Sequence, residues 1–264
     1  MTLQDIYIYP IKSLGGIRLD SGVLEERGFR HDRRWMLVDK EGNFLSQRTF
    51  PGMAMLQVNL LEEGLMVFHK SNPENKVQIP IEPLSDQLIS VKIWEDEVLG
   101  QVVSPLVNLW FSEILKQECV LVKMPQSTQR KIKPKYAVKG ESVSFADGMP
   151  YLLIGQSSLD DLNKRLEEPV GMDRFRPNLV FAGGNPFEED HWQKIQIGHA
   201  KFKITKPCAR CVMTTVNQQT AEKSKEPLKT LATYRTFSNN VMFGQNILLL
   251  EGELVRVGDK LNEI

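Results

Sequence analysis

The chain has 264 residues, in which 33 lysines and arginines balance 33 aspartates and glutamates. This balance excludes a uniformly charged surface of the kind that attracts nucleic acid or an acidic partner. Three cysteines, an odd number, argue against a disulfide framework and predict a reducing compartment. No apolar run approaches the roughly 18 residues of a membrane span, and the first residues lack the pattern of a signal peptide. We therefore expect a cytoplasmic globular protein without nucleic-acid or membrane partners.

Short strands dominate the first half of the chain. Alternating or β-branched runs predict strands at residues 5–9, 35–38, 56–61, 65–69, 88–93 and 98–103. Residues 39–43, Asp-Lys-Glu-Gly-Asn, predict a hairpin turn. Ser104 and Pro105 predict the start of a helix. The apolar face of this helix is predicted to contain Leu106, Leu109, Trp110 and Ile114.

The second half continues in the same way. Further strands are predicted at residues 120–123, 178–181, 201–205, 212–216, 241–250 and 254–257. Two more helices are predicted, one capped by Ser157 or Ser158 and a shorter one around residues 228–231. Many strands and few helices predict a mixed, mainly β fold, a β-barrel-like core with peripheral helices.

A domain boundary is expected near residues 115–125, which divides the chain into 1–120 and 121–264. The following segment, residues 129–135, is basic, contains a proline and lacks apolar periodicity. We interpret it as a mobile loop and, more simply, as a solvated linker. The alternative is a cationic flap beside an anionic cofactor or an acidic redox partner.

Cys208 and Cys211 are separated by Ala209 and Arg210, a spacing that allows four interpretations. A zinc site lacks further ligands at suitable spacing. A thioredoxin-like dithiol requires a helix after the first cysteine, where a strand is predicted. Two buried cysteines in a purely structural role remain possible. The fourth interpretation is a cysteine that ligates a soft metal or acts as a nucleophile beside an arginine.

Five motifs together resemble the MOSC superfamily, and in particular the two-part proteins similar to the mitochondrial amidoxime-reducing component and its bacterial counterparts. These are Tyr-Pro-Ile-Lys-Ser at residues 9–13, Asp-Arg-Arg-Trp at 32–35, Phe-Arg-Pro-Asn at 175–178, Pro-Cys-Ala-Arg-Cys at 207–211 and Phe-Gly-Gln-Asn at 243–246. They occur in order and cover residues 1 to about 260. The resemblance implies a β-rich MOSC N-terminal domain in residues 1–120 and a MOSC β-barrel domain in residues 121–264.

The resemblance also implies a molybdenum cofactor, with Cys211 as the catalytic cysteine and metal ligand. The resemblance likewise implies a cradle for the phosphate and pterin of the cofactor, made of Lys12, Ser13, Arg33, Arg176, Asn178 and Arg210. This set suits the ligand, because arginine forks match phosphate oxygens and lysine adds a point charge. Arg34 and Arg48 are undecided between this site and the surface. Relatives often have Ser or Thr where this chain has Ala209, so backbone N–H groups of residues 146–150 are a candidate replacement for that hydroxyl.

The activity implied by the resemblance is reduction of N-hydroxylated compounds such as hydroxylaminopurines, amidoximes and hydroxylamines to the amines. Because no Gly-x-Gly-x-x-Gly motif follows a strand, the electrons are expected from a separate flavin, ferredoxin-type or haem protein. The alternatives are a carrier that holds molybdopterin or a persulfide on Cys211 without turnover, and a protein in which the cysteine is structural. Family-level association with pyridoxal phosphate is a further expectation.

Overall fold

The computed structural model describes residues 1–264, which form nineteen strands and three α-helices. The strands are β1 (Thr2–Ile8), β2 (Ile17–Leu19), β3 (Ser21–Glu25), β4 (Gly28–Phe29), β5 (Trp35–Val38), β6 (Leu56–Leu61), β7 (Gly64–His69), β8 (Asn72–Pro80), β9 (Leu88–Ile93), β10 (Asp96–Val102), β11 (Val120–Lys123), β12 (Tyr151–Gly155), β13 (Leu179–Ala182), β14 (Lys194–Ile197), β15 (Ala200–Ala209), β16 (Thr236–Phe237), β17 (Asn240–Glu251), β18 (Leu254–Arg256) and β19 (Leu261–Glu263). The helices are α1 (Pro105–Leu115), α2 (Gln156–Asn163) and α3 (Leu228–Ala232). The predicted mainly β fold class is confirmed.

The largest sheet has nine strands and joins the two ends of the chain. Its order is β19-β14-β15-β17-β12-β13-β1-β2, with β16 paired to β17. The first strand, β1, runs antiparallel to β13, so that residues 2–6 pair with residues 179–182. This sheet encloses a core of 17 buried side chains that includes Phe29, Tyr151 and Phe202.

Three smaller sheets complete the fold, with strand orders β5-β11-β10-β9, β6-β7-β8 and β18-β3-β4. Helix α1 and the β6–β8 sheet enclose a second core around Trp35 and Phe111. Strand pairs join residues on either side of position 120, because β1 pairs with β13 and β11 lies between β5 and β10. The division into domains at residues 120 and 121 stays a prediction.

Most predicted strands are confirmed, four of them with the expected bounds: β5, β6, β9 and β11. The turn at residues 39–43 is also confirmed, since Asp39 N–H donates to the Asn43 carbonyl over 2.9 Å. The pattern of the sequence does not predict strands β2, β3, β4, β8, β12, β14, β16 and β19. Several of these runs are too short or too polar to show an apolar alternation.

The strand predicted at residues 212–216 is wrong. Residues Val212–Thr215 form a 3₁₀ turn, and the extended segment lies before the cysteine pair, as the end of β15. Thr214 Oγ1 donates to the Cys211 carbonyl over 3.0 Å, and Thr215 Oγ1 donates to the Val212 carbonyl over 2.7 Å. Such side-chain bonds to a carbonyl three residues earlier favour a turn over a β ladder, despite the β-branched composition.

The apolar face predicted for α1 is also wrong in part. Leu106 and Leu109 are 76% and 61% exposed, whereas Val107 and Phe111 are the buried residues of the helix. Trp110 and Ile114 pack partly against the second core, as expected. Leu106 and Leu109 lie one turn apart on the same side, so the strip of apolar residues did not identify which side faces the core.

Arg130, in the basic segment 129–135, is only 3% exposed, so the prediction of a solvated linker is wrong at this residue. Its guanidinium pairs with Asp96 at 2.7 Å and donates to the carbonyls of Ser144, Ala146 and Asp147. A buried arginine that satisfies several carbonyls fixes the loop that contains them. This loop, residues 144–149, borders the candidate site.

Candidate functional site

One pocket collects residues from distant parts of the chain. Its walls include the six side chains predicted as a cofactor cradle, namely Lys12, Ser13, Arg33, Arg176, Asn178 and Arg210. Lys12 and Ser13 follow β1, Arg33 precedes β5, and Arg176 and Asn178 precede β13. Arg210 follows β15, so pairing of β1 with β13 and β15 with β17 brings these segments together.

Three of these six residues have left-handed backbone conformations. The φ angles are +68° at Ser13, +49° at Arg33 and +53° at Arg176. Non-glycine residues rarely adopt this region, and each instance stores about 1–3 kcal/mol of strain that the surrounding structure must offset. Such strain concentrates at sites where the direction of a side chain matters more than local stability.

Lys12 lies at one wall of the pocket in contact with the loop that Arg130 fixes. Its Nζ donates to Asp147 Oδ1 over 2.6 Å and to the Phe145 carbonyl over 2.8 Å. Burial lowers the pKa of Lys12 to about 8, although Asp147 opposes that shift. Desolvation would raise the pKa of the Asp147 carboxyl, but the charges of Lys12 and Arg48 hold it well below its usual range.

We expect anion binding in the pocket to weaken as the pH rises through about 8, because the folded protein then loses the Lys12 charge. The unfolded chain keeps this proton to about 10.5, so it binds more protons between these two values. The sign of the linkage therefore makes folding stability rise over the same interval. Pyrophosphate titrations between pH 7 and 9 test the first effect, and a Lys12→Met variant should show a flatter pH dependence. An unchanged pH dependence in that variant would contradict the assignment.

Tyr9 lies between the two arginines of the cradle. The guanidinium carbons of Arg176 and Arg33 are 4.1 and 4.4 Å from its ring centroid. Asp32, which is fully buried, accepts hydrogen bonds from the Tyr9 backbone N–H at 2.8 Å and from Arg33 Nη1 at 2.7 Å. Burial raises the pKa of Tyr9, so its ring stays neutral between the two cations.

The two cations differ in their partners. Arg33 is paired with Asp32, but Arg176, which is 5% exposed, makes no salt bridge and donates no side-chain hydrogen bond within the protein. Burial lowers the pKa of Arg176 to about 10, with further lowering from Arg33. In Arg210, Nε is buried without a partner, although Nη2 donates to the Phe175 carbonyl over 2.7 Å. Buried donors without partners indicate a site for an anionic or hydrogen-bond-accepting ligand.

Asn178 differs from the cations because its amide is already engaged. Its Oδ1 accepts from Arg33 Nη1 and from the Leu152 N–H, and its Nδ2 donates to the Tyr7 carbonyl. These bonds connect β1, β12 and the start of β13. The side chain therefore orients Arg33 and holds the strands in register at the pocket floor.

The structure does not place Cys211, the predicted metal ligand, in the lining of the pocket. Cys208 lines the pocket, and its Sγ is 2.9 Å from Arg210 Nη1. Cys211 is partly exposed and does not line the pocket, but its Sγ is 3.9 Å from Nη1 of Arg48, which does. Each sulfur thus faces an arginine, and neither is packed solely among apolar groups. All three cysteines of the chain are free thiols.

Asp147 and Trp94 are functional candidates that the sequence did not identify. Of the two arginines left undecided by the sequence, Arg48 lines the pocket and Arg34 does not. The Arg48 guanidinium lies 4.2 Å from the Trp94 ring and 5.4 Å from the Phe44 ring. The lining contains five cations, Lys12 and four arginines, against one carboxylate, that of Asp147. Arg48 belongs to no recognisable motif, and its place in the pocket lining and its contact with Cys211 identify it.

No group of three or more His, Cys, Asp or Glu side chains is arranged to hold a metal ion. A metal bound through one cysteine would therefore depend on a cofactor for its other ligands. The residues present suit such a cofactor when it carries phosphate, because the unpaired Arg176 and the Arg210 Nε supply donors that the protein leaves unsatisfied. No observation points to pyridoxal phosphate. None of the three α-helices has the length and hydropathy needed to cross a bilayer.

Comparison with known proteins agrees with these motifs. Family models for the MOSC N-terminal beta barrel domain and the MOSC domain match residues 1–118 and 140–262. The molybdenum cofactor sulfurase of Oryza sativa subsp. japonica is 33% identical over 97% of this chain, which spans 33% of that protein. The mitochondrial amidoxime-reducing component 1 of Mus musculus is 31% identical over 98% of this chain, which spans 81% of that protein.

A second relative of the latter kind, the mitochondrial amidoxime reducing component 2 of Rattus norvegicus, is 31% identical over 98% of this chain and is covered to 82% of its own length. The chain thus spans about a third of the plant sulfurases that it matches and about four fifths of the amidoxime-reducing components. It therefore belongs to the family of two-part MOSC proteins, in which an N-terminal MOSC β-barrel domain is followed by a MOSC domain.

Proposed function

We propose that this chain is a molybdenum-cofactor-dependent oxidoreductase that reduces N-hydroxylated compounds to the corresponding amines. The observation that carries the proposal is the convergence of Lys12, Arg33, Arg176 and Arg210 on one pocket beside the cysteine pair. The name of one kind of relative, molybdenum cofactor sulfurase, supports the cofactor. The name of the other, amidoxime-reducing component, supports the class of substrate.

In this proposal Cys211 ligates the molybdenum, and the cations hold the phosphate and pterin. Arg176 suits the phosphate because its guanidinium has five N–H donors and no competing carboxylate. Arg210 bridges the two parts of the site, since its Nη1 contacts Cys208 while its Nε is free for the cofactor. Ser13 and the loop of residues 146–149 lie at the wall where backbone N–H groups can meet the pterin edge.

The cofactor would supply a metal centre that takes up the oxygen of an N–OH group at the expense of two electrons. In balance, R–NH–OH, two electrons and two protons give R–NH₂ and water. The protein's residues would position that centre, and Arg48 keeps a positive charge 3.9 Å from the Cys211 sulfur. Electrons would come from a separate flavin, ferredoxin-type or haem protein.

A carrier of molybdopterin or sulfur is the second candidate. The partly exposed Cys211, which lies outside the pocket lining, favours it, because a persulfide carrier must present its sulfur to a partner. Such a carrier would bind the cofactor without turning over any N-hydroxylated compound.

Molybdenum analysis of purified protein, followed by assays with hydroxylaminopurine, benzamidoxime and a hydroxylamine, tests the proposal. Reduced viologen supplies the electrons, so that no partner protein is needed. We expect about one molybdenum per chain and turnover of at least one compound. Full loading without turnover of any of the three would support a carrier of the cofactor, and absence of molybdenum from protein produced with excess molybdate would reject the reductase.

A further inference from the structure

A second cavity adjoins the candidate site and has no assigned role. It shares Asp147 and Gly148 with the first pocket and lies between Trp94, Tyr136 and Lys206. A Cβ atom built on Gly148 would meet no other atom within 4 Å, so the shared wall has open space at this residue. The two cavities are therefore neighbours with little side-chain bulk at the wall between them.

The loop that forms the shared wall is held in place by hydrogen bonds from a buried arginine. Arg130 is buried beneath it and donates to the Ser144 and Asp147 carbonyls over 3.0 and 3.1 Å, and also to the Ala146 carbonyl. Its Nε is paired with Asp96 at 2.7 Å. The position of Asp147 relative to both cavities is thus fixed by the basic segment.

Trp94 supplies an exposed aromatic surface beside this wall. It occupies the first position of the two-residue turn between β9 and β10, with φ +58° and 54% exposure. Such turns favour Asn-Gly because both positions tend to need positive φ, and a bulky residue there is strained. The indole is nevertheless held in place, since Nε1 donates to Asp147 Oδ1 over 3.3 Å and Arg48 stacks 4.2 Å from the ring.

Lysines near Tyr136 supply positive charge at the other side of the cavity. The ammonium groups of Lys206 and Lys135 lie 4.4 and 4.9 Å from the Tyr136 ring centroid. Neither lysine forms a salt bridge, whereas Lys133 is paired with Glu95 at 3.6 Å. The cavity lining also contains three carboxylates, but each is already paired: Glu95 with Lys133, Asp96 with Arg130 and Asp147 with Lys12. Lys206 therefore remains in the lining as a cation without a salt bridge, available to an anionic group.

We infer that this second cavity binds the substrate beyond its reacting N–OH group: the planar ring that bears this group stacks on Trp94, and an anionic substituent such as a phosphate contacts Lys206. This inference rests on the proposed function. It adds that the preferred substrates have the character of a nucleotide rather than of a free base. Residues 130–133 of the basic segment then have a defined purpose, since they line this cavity.

Steady-state kinetics with 6-hydroxylaminopurine riboside and its 5′-monophosphate test the inference on the molybdenum-loaded protein. We expect the monophosphate to have a KM roughly tenfold lower, as one charge-assisted contact provides. Lys206→Gln should remove this difference and leave the KM of the riboside unchanged. Trp94→Ala should raise the KM of both compounds, and Trp94→Phe should restore most of the affinity.

Lys201→Gln is the matched control, because Lys201 lies on the same strand as Lys206 but pairs with Glu251. Equal KM values for the two compounds, or the same effect from both lysine variants, would overturn the inference. Calorimetry with adenosine and adenosine 5′-monophosphate separates it from the proposed function. If no N-hydroxylated compound is reduced but the monophosphate still binds more tightly through Lys206, the proposed function fails and the anion subsite stands.

Discussion

Replacing Cys211 with serine should abolish the reduction of N-hydroxylated compounds and remove most of the bound molybdenum. A serine hydroxyl is a poor ligand for a soft metal, so the bond that the proposal assigns to the Cys211 sulfur cannot form. The substituted side chain has nearly the same volume, and Cys211 is partly exposed, so folding should be unaffected. Molybdenum content, turnover and thermal unfolding of the same preparation measure the three effects.

Cys208→Ser is the control for this experiment, and the structure makes it a demanding one. Cys208 lines the pocket and contacts Arg210 at 2.9 Å, whereas Cys211 lies outside the lining beside Arg48. We expect the Cys208 variant to keep much of its molybdenum and activity. A larger loss from Cys208→Ser than from Cys211→Ser would transfer the ligand to Cys208, and equal losses would favour a dithiol mechanism.

The motifs predict which residues meet in the site, but they do not predict the contacts that these residues make there. Lys12, Arg33 and Arg176 lie in short motifs, and pairing of β1 with β13 places them on one pocket. Their binding role stays a prediction. The motifs do not reveal which cation is neutralised, because the ion pair of Arg33 with Asp32 and the unpaired state of Arg176 depend on the tertiary structure.

The errors in secondary structure have local physical causes. The β-branched run at residues 212–216 predicts a strand, but Thr214 and Thr215 use their hydroxyls to close a turn. In α1, apolar residues occur on more than one side, so periodicity did not distinguish the buried Phe111 from the exposed Leu109. The basic composition of residues 129–135 predicts a solvated Arg130, because composition does not reveal that three carbonyls converge on its guanidinium.

Arg176→Met and Arg33→Met should change cofactor retention in the same direction and folding stability in opposite directions. Loss of either cation leaves phosphate charge unpaired, which costs about 1–3 kcal/mol of cofactor binding. In the cofactor-free protein, Arg176 is a buried cation without a partner, and its depressed pKa indicates that the fold tolerates its charge poorly. Its removal should therefore raise the free energy of unfolding, by about 3 kcal/mol.

Arg33→Met should instead lower that free energy by about 3–5 kcal/mol, because it leaves the fully buried Asp32 without its cation. Protein from a host that cannot make molybdopterin gives the cofactor-free stabilities by denaturant unfolding, and reconstitution gives the retention of the cofactor. If Arg176 had an ordinary structural role, both variants would be destabilised alike. Opposite signs together with a common loss of cofactor would show that the fold keeps an unfavourable charge at residue 176 for the sake of its ligand.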